Sequence, residues 1–532
     1  MEGDYWKRTG GILKQRRYGL LYSVAILCAS NLGLQGLGFL YRIGLSRLAG
    51  AEGLGVYQLV YSVYAVIHAA CLSGLTMACS RMSAELGASG RGGAVGKLAR
   101  MAARVFALLV CTCAAVLFAG RDEIAGRILG DERTAVVFPV LLVCLALTGV
   151  ENIVKSLCIG LNRVEWAAEA ELTEQVVRIG AVLALLMWYG GKDYGRIAFL
   201  IFVGMSLSEC VSAALLARIY RKQIRVPRAA RQPLPEGFGR EFAGIVLPVT
   251  GAAVVNNLLA SASSVILPQR LMLSGMTKTE ALSELGIISG MAMPLLVLPI
   301  ALISSVCTVI MPEISRSRAR GDQSRIDALT RKAVGVTGLL AIPITAVIVP
   351  LAPTLSRLFF GQVLSLKYVA LLGISTVLAY YQMVTAGLLN GMGAQWSAVG
   401  AGVLGECVQL VLVWVLSAQP GLGVYGYIWA QIIAAMLTTG CNLLRLCSLS
   451  MLSRALPRLF AVPLVCGATV FLWVRVFYTF FLGLVGFQWL GVVCTVLTAG
   501  ALCLLLLWLL GVRVRDYITQ GKANYAFLWG LY

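Results

Sequence analysis

Four carboxylates and two arginines crowd the segment GLNRVEWAAEAELTEQVVRIG, residues 160–180, of a 532-residue chain that is only 13% charged. Glu165, Glu169, Glu171 and Glu174 could serve acid–base chemistry, lie in a solvated loop, or form part of a polar path through a membrane. Glu174 and Arg178 are four residues apart, so on a helix they share a face and can pair. The sharper alternative is a site coupled to a proton or cation. Glu151, Glu209 and Glu406 stand singly near or within other apolar runs. Each is either an ion-coupling residue or a packed, hydrogen-bonded polar group. Two arginines occur in GFLYRIGLSRLAGAEGLG, Arg42 and Arg47, and Arg270 follows a proline in SSVILPQRLMLSG. A guanidinium fork suits an anionic head group such as a pyrophosphate; the alternative is that these side chains snorkel to an interface. Their five-residue separation puts Arg42 and Arg47 roughly 140° apart on a continuous helix.

The elements that must position these groups are set by composition. The chain is 59% hydrophobic with a mean hydropathy of +0.84, where a soluble protein would carry about 25% charged residues. The apolar residues come in long runs, and a run of about 20 crosses a bilayer. Backbone groups inside lipid must be satisfied within the segment, so the runs are expected to be helices. About fourteen spans are predicted, at 19–41, 56–79, 101–119, 135–157, 172–190, 197–217, 242–266, 287–311, 334–356, 367–390, 396–418, 424–444, 459–482 and 487–511. A charge at a span centre costs about 2.5–3.5 kcal/mol on insertion scales, which is why the few intramembrane charges matter. The basic N-terminus leads straight into an apolar run, which reads as a retained first span.

The 44 Lys and Arg residues concentrate on alternate loops. That asymmetry predicts a multi-pass protein of the bacterial cytoplasmic membrane with both termini cytoplasmic. It also accounts for the net charge of +20 without nucleic acid. Basic linkers recur after spans 2 and 8, and the longest, RIYRKQIRVPRAARQPLPEGFGR, follows span 6. The expected architecture is all-α, with an N-terminal lobe at 1–225 and a C-terminal lobe at 226–450. Two extra spans and a tail fill 451–532. Two pseudo-symmetric six-helix lobes related by an axis along the membrane normal would then enclose a central cleft. Arg42 and Arg270 fall at the outward ends of the first helix of each lobe, positions that would line the cleft symmetrically. The prolines at 248, 294, 299, 343 and 350 would kink or break spans of the second lobe.

Enzymatic readings are poor. No aqueous segment exceeds about 25 residues, and no DxD, HExxH or GxSxG motif occurs. The 15 cysteines show no zinc-ligand spacing and read as reduced packing residues, and His68 is the only histidine. No catalytic residue, metal site or cofactor is expected beyond a coupling ion, Na+ or H+.

Three blocks carry a family resemblance. FLYRIGLSRLAGAEGLGVYQLVYSVY resembles the first two spans of the stage V sporulation protein B family of polysaccharide exporters. That family belongs to the multidrug/oligosaccharidyl-lipid/polysaccharide flippase superfamily. ILPQRLMLSGMTKTEALSELGIISGMAMPLLVLPIALISSVCTVIMPEIS resembles the family's span 7–8 region. GLNRVEWAAEAELTEQVVRIG aligns through Gly160, Leu161, Glu174, Gln175 and Arg178. The resemblance implies alternating-access translocation of an undecaprenyl-pyrophosphate-linked saccharide, such as a peptidoglycan precursor. Cleft arginines would hold the pyrophosphate, Arg42 and Arg270 foremost and Arg47 third, and the membrane potential or an ion gradient would drive the step. Spans 13 and 14 would form a groove for the lipid tail. The implied partners are the lipid-linked saccharide and membrane lipids, with envelope-synthesis enzymes as further partners of a monomer. A role in the spore cortex follows from the family name alone. The chain departs from the pattern where the family has an Arg-Gly-x-x-Gln-Gly run, here Lys155 to Gly160, and where Trp166 replaces a proline. The rival readings are a cation-coupled multidrug or solute antiporter of the same superfamily and a non-transporting scaffold of an envelope assembly complex.

Overall fold

A computed structural model describes residues 20–219 except 90, and 237–510 except 454. The long basic linker at 218–240 is therefore largely outside the described residues, as are the N-terminal basic segment and the tail. Among the described residues there are helices and turns but no strand, as expected of apolar runs that must close their own backbone hydrogen bonds.

In the first half of the chain, α1 (Leu20–His68) bends at Gly50, whose φ of 69° lies in the left-handed region that glycine tolerates. A π-helical turn, Ala69–Ser73, carries it into α2 (Gly74–Ala88). There follow α3 (Val95–Ala119), α4 (Phe138–Gly160), α5 (Val164–Tyr189) and α6 (Tyr194–Ile219). The second half holds α7 (Phe238–Leu273), α8 (Lys278–Ile287), α9 (Ile300–Ala319), α10 (Gln323–Phe360), α11 (Leu366–Gly391), α12 (Gln395–Leu416) and α13 (Val424–Leu449). Two more helices, α14 (Leu456–Val485) and α15 (Gln488–Leu509), complete the described chain.

Twelve of these segments are long and apolar enough to cross a membrane. The first, Gly33–Ala88, covers the end of the span expected at 19–41 and the whole of that expected at 56–79, and α5, rich in charge, is not among the twelve. The span expected at 287–311 is discontinuous. Between α8 and α9 lie a π-helical turn, Ile288–Ala292, the short helix Met293–Leu296 and a non-helical step ending at Pro299. Pro294 and Pro299 cause the break, since neither offers a backbone donor and each ring excludes the preceding turn. Elsewhere prolines sit inside continuous helices, Pro248 and Pro268 in α7 and Pro343, Pro350 and Pro353 in α10.

Packing divides the helices. In the first bundle α4 lies against α2, α3 and α6, while α5 lies against α1 and α6; in the second, α11 lies against α9, α10 and α13. The last two helices dock on α10 through Leu351, Val470, Val474, Val492 and Ala499. Large apolar side chains such as Leu108, Trp188, Leu444, Leu504 and Trp508 are exposed, which in water would be a liability and in lipid is the ordinary surface. The described cysteines from Cys71 to Cys503 are free.

The chain therefore has two faces. One, here the basic face, carries the ends at 81–104, 155–163, 316–332 and 445–453. The opposite face carries the turns at 120–137, 190–194, 274–278, 361–366 and 417–423.

Candidate functional site

The acidic residues read separately along the sequence converge toward the basic-face end of the first bundle. One turn of α4 places Glu151 and Lys155 on the same side, and the Lys155 Nζ lies 3.1 Å from Glu151 Oε1. Lys155 also reaches Glu171 of α5 at 3.2 Å and Glu174 Oε2 at 3.9 Å. From the next turn of α5, Arg178 pairs with Glu174 and donates to Glu209 Oε1 of α6 at 3.0 Å. Ser212, one turn beyond Glu209, donates to Glu151 Oε1 at 2.8 Å. Carboxylate oxygens of Glu151, Glu174 and Glu209 lie within 4.8 Å of one another, an arrangement able to hold a cation. Glu151 is 1% and Glu209 3% exposed. The outer oxygen of each, Oε2, has no hydrogen-bond partner, and neither does Arg178 Nε. The pair expected from the spacing of Glu174 and Arg178 is thus one edge of a network over three helices. Lys155 was not singled out by the sequence reading, although its spacing of four from Glu151 is the same signal.

The cluster abuts α1. Tyr41 and Tyr57 lie within electrostatic reach of both Arg178 and Arg42, and the buried Tyr41 hydroxyl has no partner. Glu406 does not join the cluster; it sits on α12 in the second bundle, near Tyr427 of α13.

Two of the three arginines reach across the seam between the two bundles, and the three do not form one site. Arg42 donates across the seam to the Ser289 carbonyl at 3.1 Å, inside the π-helical turn that follows α8. Arg47 donates to the Leu358 and Phe359 carbonyls at the C-terminus of α10. This is where a helix leaves acceptors unpaired and favours a cation. Arg270 instead stays with its own bundle, its guanidinium over the ring of Trp414 on α12, with Nη2 buried and unpartnered. Arg42 and Arg270 therefore engage different helices, and no described contact joins them.

Further contacts seal the seam on the opposite face. Asp131 takes Arg133 Nη2 at 2.7 Å and Lys278 of α8 at 3.5 Å. Gln269 of α7 donates to the Ile128 carbonyl at 2.7 Å. Burial alone would raise the Asp131 pKa, but the hydrogen bonds and charge of Arg133, with Lys278, hold it below the ordinary carboxyl range. Farther along, α1 and α7 touch where Ser261 donates to the Ser62 carbonyl at 3.0 Å. A separate cavity of about 530 Å³ opens beside Glu284, Tyr368 and Tyr425 on the opposite face of the second bundle.

Two helical bundles that meet along a seam, with buried charges inside one of them and apolar side chains facing outward, define a polytopic helical membrane protein, and its relatives place it in the flippase class. Its fold matches the solved structure titled lipid II flippase MurJ, inward closed conformation, with a TM-score of 0.67 and 13% identity over 93% of this chain and 100% of that one. It also matches an inward-facing multidrug resistance MATE family transporter, with a TM-score of 0.63 and 16% identity over 79% and 98%. The polysaccharide biosynthesis protein family model matches residues 20–318, and the lipid II flippase MurJ model matches 283–479. Stage V sporulation protein B of Bacillus subtilis (strain 168) is 24% identical over 84% of this chain and 88% of its own. Sporulation protein YkvU of the same organism is 21% identical over 56% and 67%. The chain belongs to the polysaccharide biosynthesis protein family.

Proposed function

We propose that this protein moves a lipid-linked saccharide with an anionic head, such as an undecaprenyl-pyrophosphate-linked unit, across the cytoplasmic membrane by alternating access of its two bundles. The observation that carries the reading is the seam. Its opposite-face half is closed by the close approach of α1 to α8 at Gly55 and Gly286 and by a few polar contacts, Arg42 to Ser289, Arg47 to the end of α10 and Asp131 to Lys278, all of which can part without unfolding either bundle. The names of the relatives and the matched family models support the substrate class. We assign the lobes to 1–225 and 226–450 and the accessory helices to 451–532. The basic face is cytoplasmic, following the distribution of Lys and Arg. Fourteen spans, a monomeric state and an association with envelope-synthesis enzymes complete the proposal.

Arg42 is the first residue to meet the head group, because its one bond is to a backbone carbonyl and its side chain is exposed. Arg270 is the second, because a donor atom is left over. Arg47 is committed to α10, which makes it a part of the seam. The experiment is reconstitution into vesicles with a fluorescent lipid-linked saccharide, followed by its appearance in the outer leaflet. Vesicles with wild-type protein should outpace empty ones, and Arg42→Ala with Arg270→Ala should slow them. Equal rates for wild type and the double variant would sink the arginine assignment, and a wild type no faster than empty vesicles would sink the substrate. The acidic cluster favours a second reading, a cation-coupled antiporter, which the same vesicles test with an organic cation in place of the saccharide.

A further inference from the structure

The network around Glu151 is one positive charge short. Glu151, Glu174 and Glu209 face Lys155 and Arg178, so three carboxylates meet two cations and one negative charge is left over. Glu171 also touches Lys155 but is 41% exposed, so surrounding polar groups can screen it. A buried, uncompensated carboxylate is costly and ordinarily takes up a counter-charge.

The two orphaned oxygens show where that charge belongs. Glu151 uses Oε1 for Lys155 and Ser212, and Glu209 uses Oε1 for Arg178. The other oxygen of each is buried and finds no donor. Both are acceptors when ionised, so neither can satisfy the other. One proton makes one of them a donor, and a single O–H···O bond then serves both atoms.

We propose that Glu151 and Glu209 share one bound proton, held between their Oε2 atoms, and that the acidic cluster of the first bundle is a proton-binding site. A metal ion fits less well. Hard cations such as Ca²⁺ and Mg²⁺ take about six oxygens, whereas two are free here and an ammonium and a guanidinium already crowd the same carboxylates.

The charged and titratable groups facing the site can be named element by element. From α1 come Tyr41 and Tyr57, near Arg178, and Tyr64, near Glu209; Arg42 lies near Tyr41 and Tyr57. Besides Glu151, α4 presents Lys155 and Cys144; α5 presents Glu171, Glu174 and Arg178. Arg42 gives its hydrogen bond to the Ser289 carbonyl, outside the cluster, and none of the tyrosines or the cysteine adds positive charge, so the proton is the missing one. Its loss would restore a net negative charge beside the helix that carries Arg42.

This inference rests on side-chain geometry and stands or falls apart from the transport reading, because its test reads a proton and no transport. The infrared carbonyl band of protonated carboxyl groups is recorded for full-length protein in nanodiscs as pH is raised from 5 to 9. In wild type the band should persist at pH 7, where ordinary glutamates of pKa about 4.3 are ionised. Glu151→Gln and Glu209→Gln should each remove the intensity of one carboxyl, because an amide donates the missing hydrogen bond and leaves its partner ionised. Replacing choline by Na+ at constant ionic strength should leave the wild-type band unchanged. A wild-type spectrum without the band at pH 7 overturns the proposal and needs no variant to fold. Intensity unchanged in both variants overturns it too. Loss in only one variant puts the proton on one residue alone and overturns the sharing, and a band removed by Na+ overturns it in favour of a metal cation.

Discussion

Gly55 of α1 and Gly286 of α8 bring the two bundles together backbone to backbone. A Cβ at position 55 would lie 2.0 Å from the Leu282 carbonyl oxygen, and one at 286 would lie 1.9 Å from that of Ala51. The contact is reciprocal, so each helix fills the groove that the other's missing side chain leaves. Gly55→Ala and Gly286→Ala should each destabilise the seam by about 1–3 kcal/mol, the usual cost of overpacking. Gly251→Ala, where a Cβ meets nothing within 4 Å, is the matched control. Thermal melts in detergent check this, and a Gly286→Ala protein that melts with wild type contradicts the contact.

Arg178 holds two acids from two helices. Arg178→Ala strips Glu209 of its cation and leaves Glu174 only Lys155 at 3.9 Å, a change expected to cost about 3–5 kcal/mol. Adding Glu209→Gln to the same chain should recover part of that loss, because one of the stranded charges is gone. A double variant no more stable than Arg178→Ala would show that the two residues do not act as a pair.

Asp131 ties α8 to the 120–137 turn, and its carboxyl is held below the ordinary range despite burial. A depressed folded-state pKa stabilises the protein above the unfolded value, about 3.9, and the contribution is lost as pH falls through the folded value. At pH 7 the contribution is therefore in full force, and Asp131→Asn should remove it. Cysteines introduced beside Lys278 should then react faster with a membrane-impermeant maleimide at pH 7, several-fold over the parent. No change in labelling would remove Asp131 from the seal.

Arg47 and Arg42 should separate by readout. Arg47→Ala uncovers the last carbonyls of α10 and should lower stability by about 1 kcal/mol, with any transport defect following from that loss. Arg42→Ala removes one exposed bond and should leave the melting temperature nearly unchanged while slowing transport. Melts and vesicle assays on the same preparations decide it, and the reverse pattern would exchange the two roles.

The helical character of the chain was legible because apolar runs of span length admit one backbone solution in lipid. The Glu174–Arg178 pair was legible because four residues on a helix make one turn. Glu209 as the second partner of Arg178 was not, since it lies 31 residues away on another helix and no local spacing records that approach. The break in the span near 290 was half visible in Pro294 and Pro299, although the hydropathy of the run stays high across it. Arg47 was the least legible. Its acceptors are main-chain oxygens more than 300 residues away, so no side chain in the sequence marks them. Gly55 and Gly286 were two among 57 glycines, and only the packing distinguishes them.

Three of the side chains that close the seam, Arg42, Arg47 and Gln269, take hold of the peptide backbone itself, at Ser289, at Leu358 and Phe359, and at Ile128. Every residue supplies a carbonyl, so the receiving half of this clasp is indifferent to spelling. Residues 128, 289, 358 and 359 are free to drift among relatives while the grip endures, and paired changes at the two ends should be scarce. Evolution can thus rewrite one bundle's surface around a cargo without having to retune the closure on the other.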